Sequence, residues 1–541
     1  MAFIPRSFIT TPIFYVNAKP HIGHLYTVIL GDAAHRWSVI TGAKNPVYAC
    51  GTDEHGAKVY RVAREMGMSP EMFCRRATAK FQHMLAAANI NNDKFICTTS
   101  PAHQQTVYQL WDRLEQNGFI YRGSYEGWYS VNDEAFYSSD DVTTNDAGVK
   151  VSVETNNPVE WTIEDNYKFR LSNMEERLLQ WASQPDAIIP KMSREMVLSW
   201  INQGLKDLSI SRPSSRVPWG IPTPHNTNQT VYVWFDALCN YLTVAKQPFT
   251  NQLSSSLWPH VVHLVGKDIL RFHAVYWPAF LMAADLAPPK RVVSHAHWTV
   301  GKVKMSKSLG NVVDPITILD QYGVDAVRYF FLKDGRLEDD SDFTENRITS
   351  LLNTELADNL GNMLNRVTGV KVNPSQTYPP FHIDLFPLNA TSSPQCRAGS
   401  EDYELLNTMN NLTDEVSKLY NDFKFGMAIT KIMECVQQGN AFLQRHQPWV
   451  LIKQPEEQPW LDTVLHTALE CVRLCCVLLY PIVPQSMTEV RHRLGLLTDI
   501  TTQDLQCRLN RTFINPGSEH IPGASTKLNS CSKLLFKKFD I

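Results

Sequence analysis

The 541-residue sequence contains no long, uninterrupted hydrophobic run. Its longest apolar stretch, residues 472–483, includes Arg473 and Pro481 and is well short of the roughly 20 residues that a membrane-spanning helix needs. We therefore predict no membrane insertion. An excess of positive charge is also missing, since the formal net charge is −3 and the isoelectric point is near 6.6. Any nucleic acid must therefore be held by local basic patches.

Cysteine is absent from residues 98–238, which excludes a four-thiolate zinc site in that part of the chain. The eleven cysteines are otherwise scattered, and the only tight group, Cys471, Cys475 and Cys476, lies in an apolar helical stretch. Without a signal-peptide pattern, we interpret them as reduced thiols of an intracellular protein.

The first hundred residues have the pattern of a nucleotide-binding parallel sheet. A β-branched and aromatic run at 8–16 predicts a buried strand, followed by a turn with histidine and glycine and a helix ending near Gly42. A second strand at 47–50 leads into residues 51–56, Gly-Thr-Asp-Glu-His-Gly. Ligands bind beyond the carboxyl ends of such strands, so residues 21–24 and Asp53 should share one rim.

The rest of the chain predicts an α/β protein with a Rossmann-type parallel sheet, split by an inserted domain and followed by an all-α helical bundle. Strand-like runs at 230–235 and 260–265 resume the sheet, and a Pro- and Ser-rich stretch at 373–399 interrupts the later helical pattern. The predicted segments are the two sheet halves 1–117 and 221–310, the insertion 118–220, a linker 311–350, the helical bundle 351–510 and a basic tail 511–541.

Two short motifs carry phosphate chemistry. His21-Ile22-Gly23-His24 stands at a strand-to-helix turn, where unpaired backbone N–H groups and the helix dipole favour a phosphate, and Gly23 permits close approach. Two imidazoles there would stabilise charge on an α-phosphate. In the loop 302–311, Lys304 and Lys307 would neutralise a leaving pyrophosphate. Taken singly, the histidines could be helix caps and the lysines a solvated basic turn.

Together, and in this order, the two motifs resemble those of the class I aminoacyl-tRNA synthetases. Four further segments look like the methionyl enzymes of that class: Thr10-Thr-Pro-Ile-Phe-Tyr15, Gly51-Thr-Asp-Glu-His-Gly56, Tyr232-Val-Trp-Phe-Asp-Ala237 and Gly266-Lys-Asp-Ile-Leu-Arg-Phe-His273. The resemblance extends to about residue 455.

The resemblance implies a set of substrate-binding residues. Asp53 would hold the substrate α-ammonium group, although alone it could be a helix N-cap. ATP would contact His21, Gly23, His24, Gly266, Asp268, Lys304 and Lys307. The methionine pocket would be lined by Ile13, Tyr15, Trp234, Ala237, Leu238, Tyr241, Ile269 and His273. Trp234 and Tyr241 could instead be core aromatics, and Leu238 stands where many family members have proline.

In the helical part, the resemblance implies that Asn362, Arg366 and Trp449 read a CAU anticodon. Asn362 and Arg366 are spaced i, i+4 and project from one helix face, while Trp449 offers a stacking plane. Without the resemblance, Trp449 would be a core residue and the other two a solvated face. Because it lacks cysteine in the inserted region, the chain resembles the zinc-free branch of the family, which is found in organelles and some bacteria.

The predicted activity is therefore that of a methionine–tRNA ligase using ATP with Mg²⁺, methionine and tRNA(Met), with no structural zinc and as a monomer. The compartment predicted by resemblance is the mitochondrial matrix, with the cytoplasm as the alternative. Other class I synthetases for apolar amino acids carry a large editing insertion, for which about 100 inserted residues are too few. A nucleotidylyltransferase would lack the helical domain, and a non-catalytic tRNA-binding paralogue would not need the intact histidines and lysines.

Overall fold

The computed structural model describes residues 7–131, 135–137, 139–153, 155–246, 257–305, 310–388, 394–496, 499–507, 509, 527–529 and 534–539. They form two compact units. The sheet unit comprises Arg6–Gly31 and Asn45–Ala296, and the helical unit comprises Asp32–Lys44 and His297–Ile541. This division groups the Lys304 region with the helices, whereas the predicted segments ended the sheet domain at residue 310.

The strands of the sheet unit are β1 (Phe8–Tyr15), β2 (Val47–Asp53), β3 (Lys94–Cys97), β4 (Ile120–Ser130), β5 (Ala135–Tyr137), β6 (Val142–Thr144), β7 (Lys150–Ser152), β8 (Glu160–Phe169), β9 (Ile188–Ile189), β10 (Leu208–Ser209), β11 (Ser211–Pro213), β12 (Pro222–Thr223), β13 (Asn226–Val231), β14 (Val261–Gly266) and β15 (Arg291–His295). Its helices are α1 (Ile22–Ile40, shared with the helical unit), α2 (Ala57–Glu65), α3 (Pro70–Ala87), α4 (Pro101–Gln116), α5 (Glu175–Ala182), α6 (Lys191–Asn202), α7 (Val233–Leu238), α8 (Asn240–Ala245) and α9 (Trp277–Ala283).

The main sheet is parallel and six-stranded, in the order β3-β2-β1-β14-β15-β9. From β1 the chain proceeds outward to β2 and β3, and it later returns on the other side of β1 as β14. This reversal makes the carboxyl ends of β1 and β14 the place where an open α/β sheet binds ligands. Strand β1 is buried along most of its length, as its β-branched and aromatic residues predict.

Glycine at position 51 is required by the packing of neighbouring strands. A Cβ atom at Gly51 would lie 2.1 Å from the carbonyl oxygen of Ile96 and 2.9 Å from a methyl group of Ile13. No side chain fits such a space, so glycine allows β2 to fit between β1 and β3. Strand β2 stays buried from Tyr48 to its end at Asp53.

The predicted strand at 230–235 is wrong in part. Strand β13 ends at Val231 and belongs to a small antiparallel sheet, β11-β13-β12, while helix α7 begins at Val233. The predicted insertion contains the four-stranded sheet β10-β8-β4-β5. It also contributes the two-residue edge strand β9 to the main sheet, a segment too short to give a periodic sequence pattern.

The described part of the helical unit has three short strands, β16 (Trp298–Val300), β17 (Val303–Lys304) and β18 (Ser341–Asp342). Its helices are α10 (Pro315–Tyr322), α11 (Val324–Asp334), α12 (Glu345–Leu351), α13 (Asn362–Thr368), α14 (Ser400–Asn421), α15 (Phe425–His446), α16 (Pro448–Leu451), α17 (Gln458–Leu479) and α18 (Pro484–Arg493), with a π-helix at Leu352–Gly361 between α12 and α13. The predicted helical bundle is confirmed.

Helix α17 explains the longest apolar run of the sequence. From Trp460 to Leu479 its side chains are buried almost without exception, so the helix is the centre of the bundle. Arg473 is fully buried there because Glu470 accepts two of its hydrogen bonds, at 2.7 and 2.8 Å. No helix among the described residues is long and apolar enough to cross a membrane.

Candidate active site and anticodon-binding residues

The carboxyl ends of β1 and β2 bring three of the predicted methionine-binding residues together. Ile13 lies opposite Gly51 and Tyr15 lies opposite Asp53 in the parallel register. Asp53 is buried, with 9% of its surface exposed, whereas Ile13 and Tyr15 are half-buried. Asp53 is not a helix N-cap, because α2 begins only at Ala57, after Gly56. A buried carboxylate at a strand end is suited to hold an ammonium group.

The two histidines of the turn lie side by side, with ring centroids 3.8 Å apart. The Nδ1 atom of His24 accepts a hydrogen bond from the His21 N–H at 3.1 Å, and Nδ1 of His21 accepts from the Gly23 N–H at 3.1 Å. In a neutral ring the proton must then be on Nε2, which makes each Nε2–H a hydrogen-bond donor. Burial, then the neighbouring His21, lower the pKa of His24 well below its usual value.

This arrangement corrects one expectation from the sequence. The sequence predicted unpaired backbone N–H groups at this turn, but the imidazoles accept hydrogen bonds from two of them, those of His21 and Gly23. The imidazole Nε2–H groups are therefore among the donors that this turn offers.

Strand β14 ends beside the histidine turn. A Cβ atom at Gly266 would lie 2.6 Å from the Asp268 carboxylate, so glycine leaves room for that side chain in the turn that leads into residues 267–269. Asp268 is exposed, and its charge acts on both His24 and His273 by raising their pKa values, a smaller effect than that of burial. The two predicted ATP-binding residues of this turn and the histidine pair thus lie at one rim.

Several of the residues predicted to line a methionine pocket come together where α7 and α8 face the turn after β14. The Tyr241 hydroxyl lies 2.7 Å from Nε2 of His273, and Nδ1 of His273 lies 3.0 Å from the Ile269 carbonyl oxygen. Since a carbonyl only accepts, Nδ1 carries the proton and Tyr241 donates to Nε2. Burial lowers the pKa of His273 to about 4, so its ring is neutral near pH 7.

The aromatic side of the pocket is built by Trp234, which stacks on Phe272 with centroids 3.6 Å apart. Trp234 is half-buried, whereas Tyr241, Leu238 and Ala237 are buried. Tyr241 is therefore packed like a core aromatic residue, but its hydroxyl also hydrogen-bonds to His273. Leucine at 238 is accommodated with 1% of its surface exposed.

A buried network that sequence reasoning missed joins the two halves of this site. Asp236 accepts a hydrogen bond from Nδ1 of His55 at 2.7 Å and from Nε2 of His103 at 2.7 Å. His55 follows Asp53 by two residues, and Asp236 precedes Ala237. His55 and Asp236 each stand in a motif that carries the resemblance, but only the fold brings them into contact.

A second hydrogen-bonded network, centred on His263, lies next to Tyr241. Nε2 of His263 accepts a hydrogen bond from the Trp277 indole at 3.1 Å, so its Nδ1 carries the proton and donates to Thr10 at 2.7 Å. Its ring centroid lies 4.1 Å from that of Tyr241. Burial, and then His273, lower the pKa of His263 well below its usual value. The neutral ring thereby connects β1 to the pocket aromatics.

The remaining predicted residues belong to the helical unit. Lys304 is exposed at the end of β17, and Lys307 lies outside the described residues. Asn362 and Arg366 are half-buried on α13 and Trp449 is half-buried on α16. The Arg366 guanidinium lies over the Trp449 ring, 5.8 Å from its centroid. Arg366 and Trp449 are therefore neighbours, and neither has the burial of a core residue or the exposure of a solvated face.

Comparisons with known proteins agree with this geometry. A family model described as "tRNA synthetases class I (M)" matches residues 7–150 and 146–368, and one described as "Anticodon binding domain of methionyl tRNA ligase" matches residues 394–521. The mitochondrial methionine–tRNA ligase of Mus musculus is 44% identical over an alignment of 544 positions. This alignment covers 99% of this chain and 92% of that protein. The Homo sapiens enzyme of the same name is 43% identical, with 99% and 91% covered.

A solved structure shows the same fold. It is that of Mycobacterium tuberculosis methionyl-tRNA synthetase in complex with methionyl-adenylate, which is 36% identical with a TM-score of 0.87 and covers 98% of this chain and 99% of that chain. The split parallel sheet, the rim histidines and the helical bundle define a class I aminoacyl-tRNA synthetase. The chain belongs to the methionyl-tRNA synthetase family. Its activity is ATP-dependent ligation of methionine to tRNA.

Proposed function

We propose that the rim of the sheet unit forms methionyl-adenylate from L-methionine and the Mg²⁺ complex of ATP. A carboxylate oxygen of methionine attacks the α-phosphorus, and the bond to the bridging oxygen breaks. Pyrophosphate leaves with the electron pair of that bond. The methionyl group then passes to the 3′-terminal adenosine of tRNA(Met), with AMP released. Methionyl-adenylate bound to the similar M. tuberculosis enzyme supports this sequence of steps.

The observation that carries the proposal is the paired-imidazole turn at His21 and His24. Their Nδ1 atoms are occupied by backbone N–H groups, so both rings can donate from Nε2. These donors would stabilise the charge that builds on the α-phosphate oxygens in the transition state. Gly23, Gly266 and Asp268 would contact the nucleotide. Catalysis then rests on positioning and charge stabilisation, without a covalent enzyme intermediate.

Methionine recognition would combine one charge contact with an apolar pocket. Asp53 would hold the α-ammonium group at the end of β2, beside Ile13 and Tyr15. The thioether would lie among residues 234–241 and 269–273, where sulfur–aromatic contacts contribute about 0.3–1.5 kcal/mol each. A neutral His273 suits this pocket, because an imidazolium would be costly beside an uncharged side chain.

Lys304 and Lys307 would neutralise the leaving pyrophosphate. In the helical unit, Asn362 and Arg366 would hydrogen-bond to unstacked bases of the CAU anticodon, and Trp449 would stack on one of them. The contact between the Arg366 guanidinium and the Trp449 ring supports a joint role for these residues.

The proposal includes no structural zinc, since residues 98–238 contain no thiol. We further propose that the enzyme acts as a monomer in the mitochondrial matrix. The mitochondrial names of the mouse and human relatives support that compartment.

The proposal is tested by ATP–pyrophosphate exchange with each of the twenty amino acids in turn. Methionine should drive exchange, and other apolar amino acids should not. His24→Ala should lower the exchange rate constant by about 10²-fold, the loss usual for one transition-state hydrogen-bond donor. His225→Ala, which removes a histidine that is 64% exposed, should leave the rate unchanged. Exchange driven by another amino acid, or a His24→Ala rate equal to that of wild type, would refute the proposal.

A further inference from the structure

Three cysteine sulfurs meet in the centre of the helical unit, outside any site described above. Cys471 and Cys475 are spaced i, i+4 and lie on one face of α17. Cys435 of α15 faces them, with its Sγ 3.7 Å from that of Cys471. All three Sγ atoms lie within 4.8 Å of one another, and all three side chains are fully buried.

These separations correspond to a shared metal ligand set. A thiolate sulfur lies about 2.3 Å from its metal, which puts two sulfurs of a trigonal centre about 4.0 Å apart. The distance between Cys435 and Cys471 is already close to that value, and Cys475 needs to move in by less than 1 Å. Rotation about the side-chain bonds provides such a change without moving the helices.

The thiols are held only weakly by their present partners. Cys471 donates to the Cys435 carbonyl oxygen at 3.7 Å and Cys475 donates to the Ile432 carbonyl oxygen at 3.9 Å, both long contacts for a weak donor. A further soft donor lies nearby. A Cβ atom at Gly439 would lie 3.0 Å from the Met363 Sδ and 3.1 Å from the Cys471 Sγ, so the thioether and the thiol both pack against this glycine.

The chemistry of the donors selects the ion. Thiolates and thioethers prefer soft ions such as copper(I) and zinc, and this cluster contains no histidine or carboxylate. Coordination number separates the two ions, because copper(I) is held by three sulfur ligands whereas zinc(II) takes a fourth ligand. Each thiol that binds the ion releases its proton to solvent.

We propose that Cys435, Cys471 and Cys475 bind one copper(I) ion in a trigonal sulfur site at the centre of the helical bundle. The ion joins α15 to α17 and stabilises the folded unit, since it binds only where the fold brings the three sulfurs together. Because the cluster is fully buried, the ion enters during folding or during local opening. The alternative is that the cysteines only fill space in the core.

The test uses the full-length protein, incubated anaerobically with copper(I) buffered by a competing chromogenic chelator. We expect one tightly held ion per chain, an X-ray absorption spectrum fitted by sulfur ligands at about 2.3 Å, and a higher Tm than that of the metal-free protein. Cys471→Ala should weaken copper binding by at least roughly 100-fold and abolish the rise in Tm.

Cys476→Ala is the matched control, because Cys476 is adjacent on α17 and equally buried but donates to the Met487 carbonyl oxygen at 3.3 Å. This variant should bind copper as the wild type does. Circular dichroism and methionine-dependent exchange establish that both variants are folded. No tight copper binding by the wild type, equal binding by folded Cys471→Ala, or a preference for zinc with four ligands would overturn the proposal.

Discussion

Replacing Asp236 by asparagine tests whether the buried network holds the methionine pocket in place. The carboxylate is 1% exposed and accepts two hydrogen bonds of 2.7 Å, from His55 and His103. Asparagine has one acceptor oxygen and presents an N–H₂ group to the other histidine. Since a hydrogen bond to a charged group contributes about 1.5–3 kcal/mol, the loss of one costs roughly 2 kcal/mol or more.

The pKa of Asp236 gives a second measure of the same interaction. Burial alone raises it, but the charge of His55 and the hydrogen bonds from both histidines outweigh burial and lower it to about 2. The difference from the usual value of 3.8 corresponds to roughly 2 kcal/mol of stability. Because the folded-state pKa is lowered, this stabilisation is present above pH 4 and is lost as the pH falls from about 4 toward 2.

Thermal unfolding of wild type, Asp236→Asn and Asp146→Asn should be compared at pH 7, 4 and 3. Asp146 is exposed, and its variant should unfold as the wild type does. Asp236→Asn should lower the Tm at pH 7 by roughly 3–4 °C, and the gap should narrow as the pH falls below 4. In exchange assays its methionine KM should rise roughly 10-fold with a smaller change in kcat, because Ala237 and Leu238 follow Asp236 directly. A wild-type Tm at pH 7, or a gap independent of pH, would show that the network does not stabilise the folded state.

Four further predictions concern substrate recognition and metal content. Tyr241→Phe removes the hydroxyl that donates to His273 and should raise the methionine KM while the melting temperature stays within a few degrees of the wild type; an unchanged KM would contradict the pocket assignment. Lys307→Ala should lower the exchange rate by about 10² or more with a smaller effect on methionine affinity, and an unchanged rate constant would remove Lys307 from the mechanism. Trp449→Ala should reduce aminoacylation kcat/KM by roughly 10- to 100-fold and leave exchange near normal, because base stacking is worth about 1–3 kcal/mol. If both activities and the Tm fall together, Trp449 is a core residue. Elemental analysis should find much less than one zinc per chain, and chelators that spare Mg²⁺ should leave activity intact; one tightly held zinc would contradict the zinc-free assignment.

Local sequence patterns predicted the individual elements well where a periodic run was long. The strand at the amino end, the helix after it and the helical bundle are all present, because a run of β-branched and aromatic residues and a helical periodicity leave a clear trace over many residues. Strand β9 and the end of β13 were missed, since two-residue pairing and a strand-to-helix change leave no periodic trace. These were decided by neighbouring strands and not by local preference.

The candidate site likewise contains some residues that sequence motifs indicate and others that only tertiary contacts reveal. The candidate roles of His21, His24 and Asp53 were proposed from the sequence, because the histidines stand at a strand-to-helix turn and Asp53 ends a recognisable strand, in motifs whose residue types suit phosphate or ammonium binding. The roles of Asp236, His55 and His103 could not be, because they meet only after residues more than 100 positions apart pack together. The proton positions on His273 and His21 likewise depend on tertiary partners.

The amino-acid sequence by itself therefore determined the kind of chemistry and the family, since both depend on residue types at short spacing. Only the tertiary structure decided which cysteines share a cluster, since Cys435 meets Cys471 and Cys475 across two helices whereas Cys476, in sequence their neighbour, donates elsewhere. The physical reason is that consecutive residues of a helix point in directions about 100° apart, so adjacency in the chain does not give contact in space.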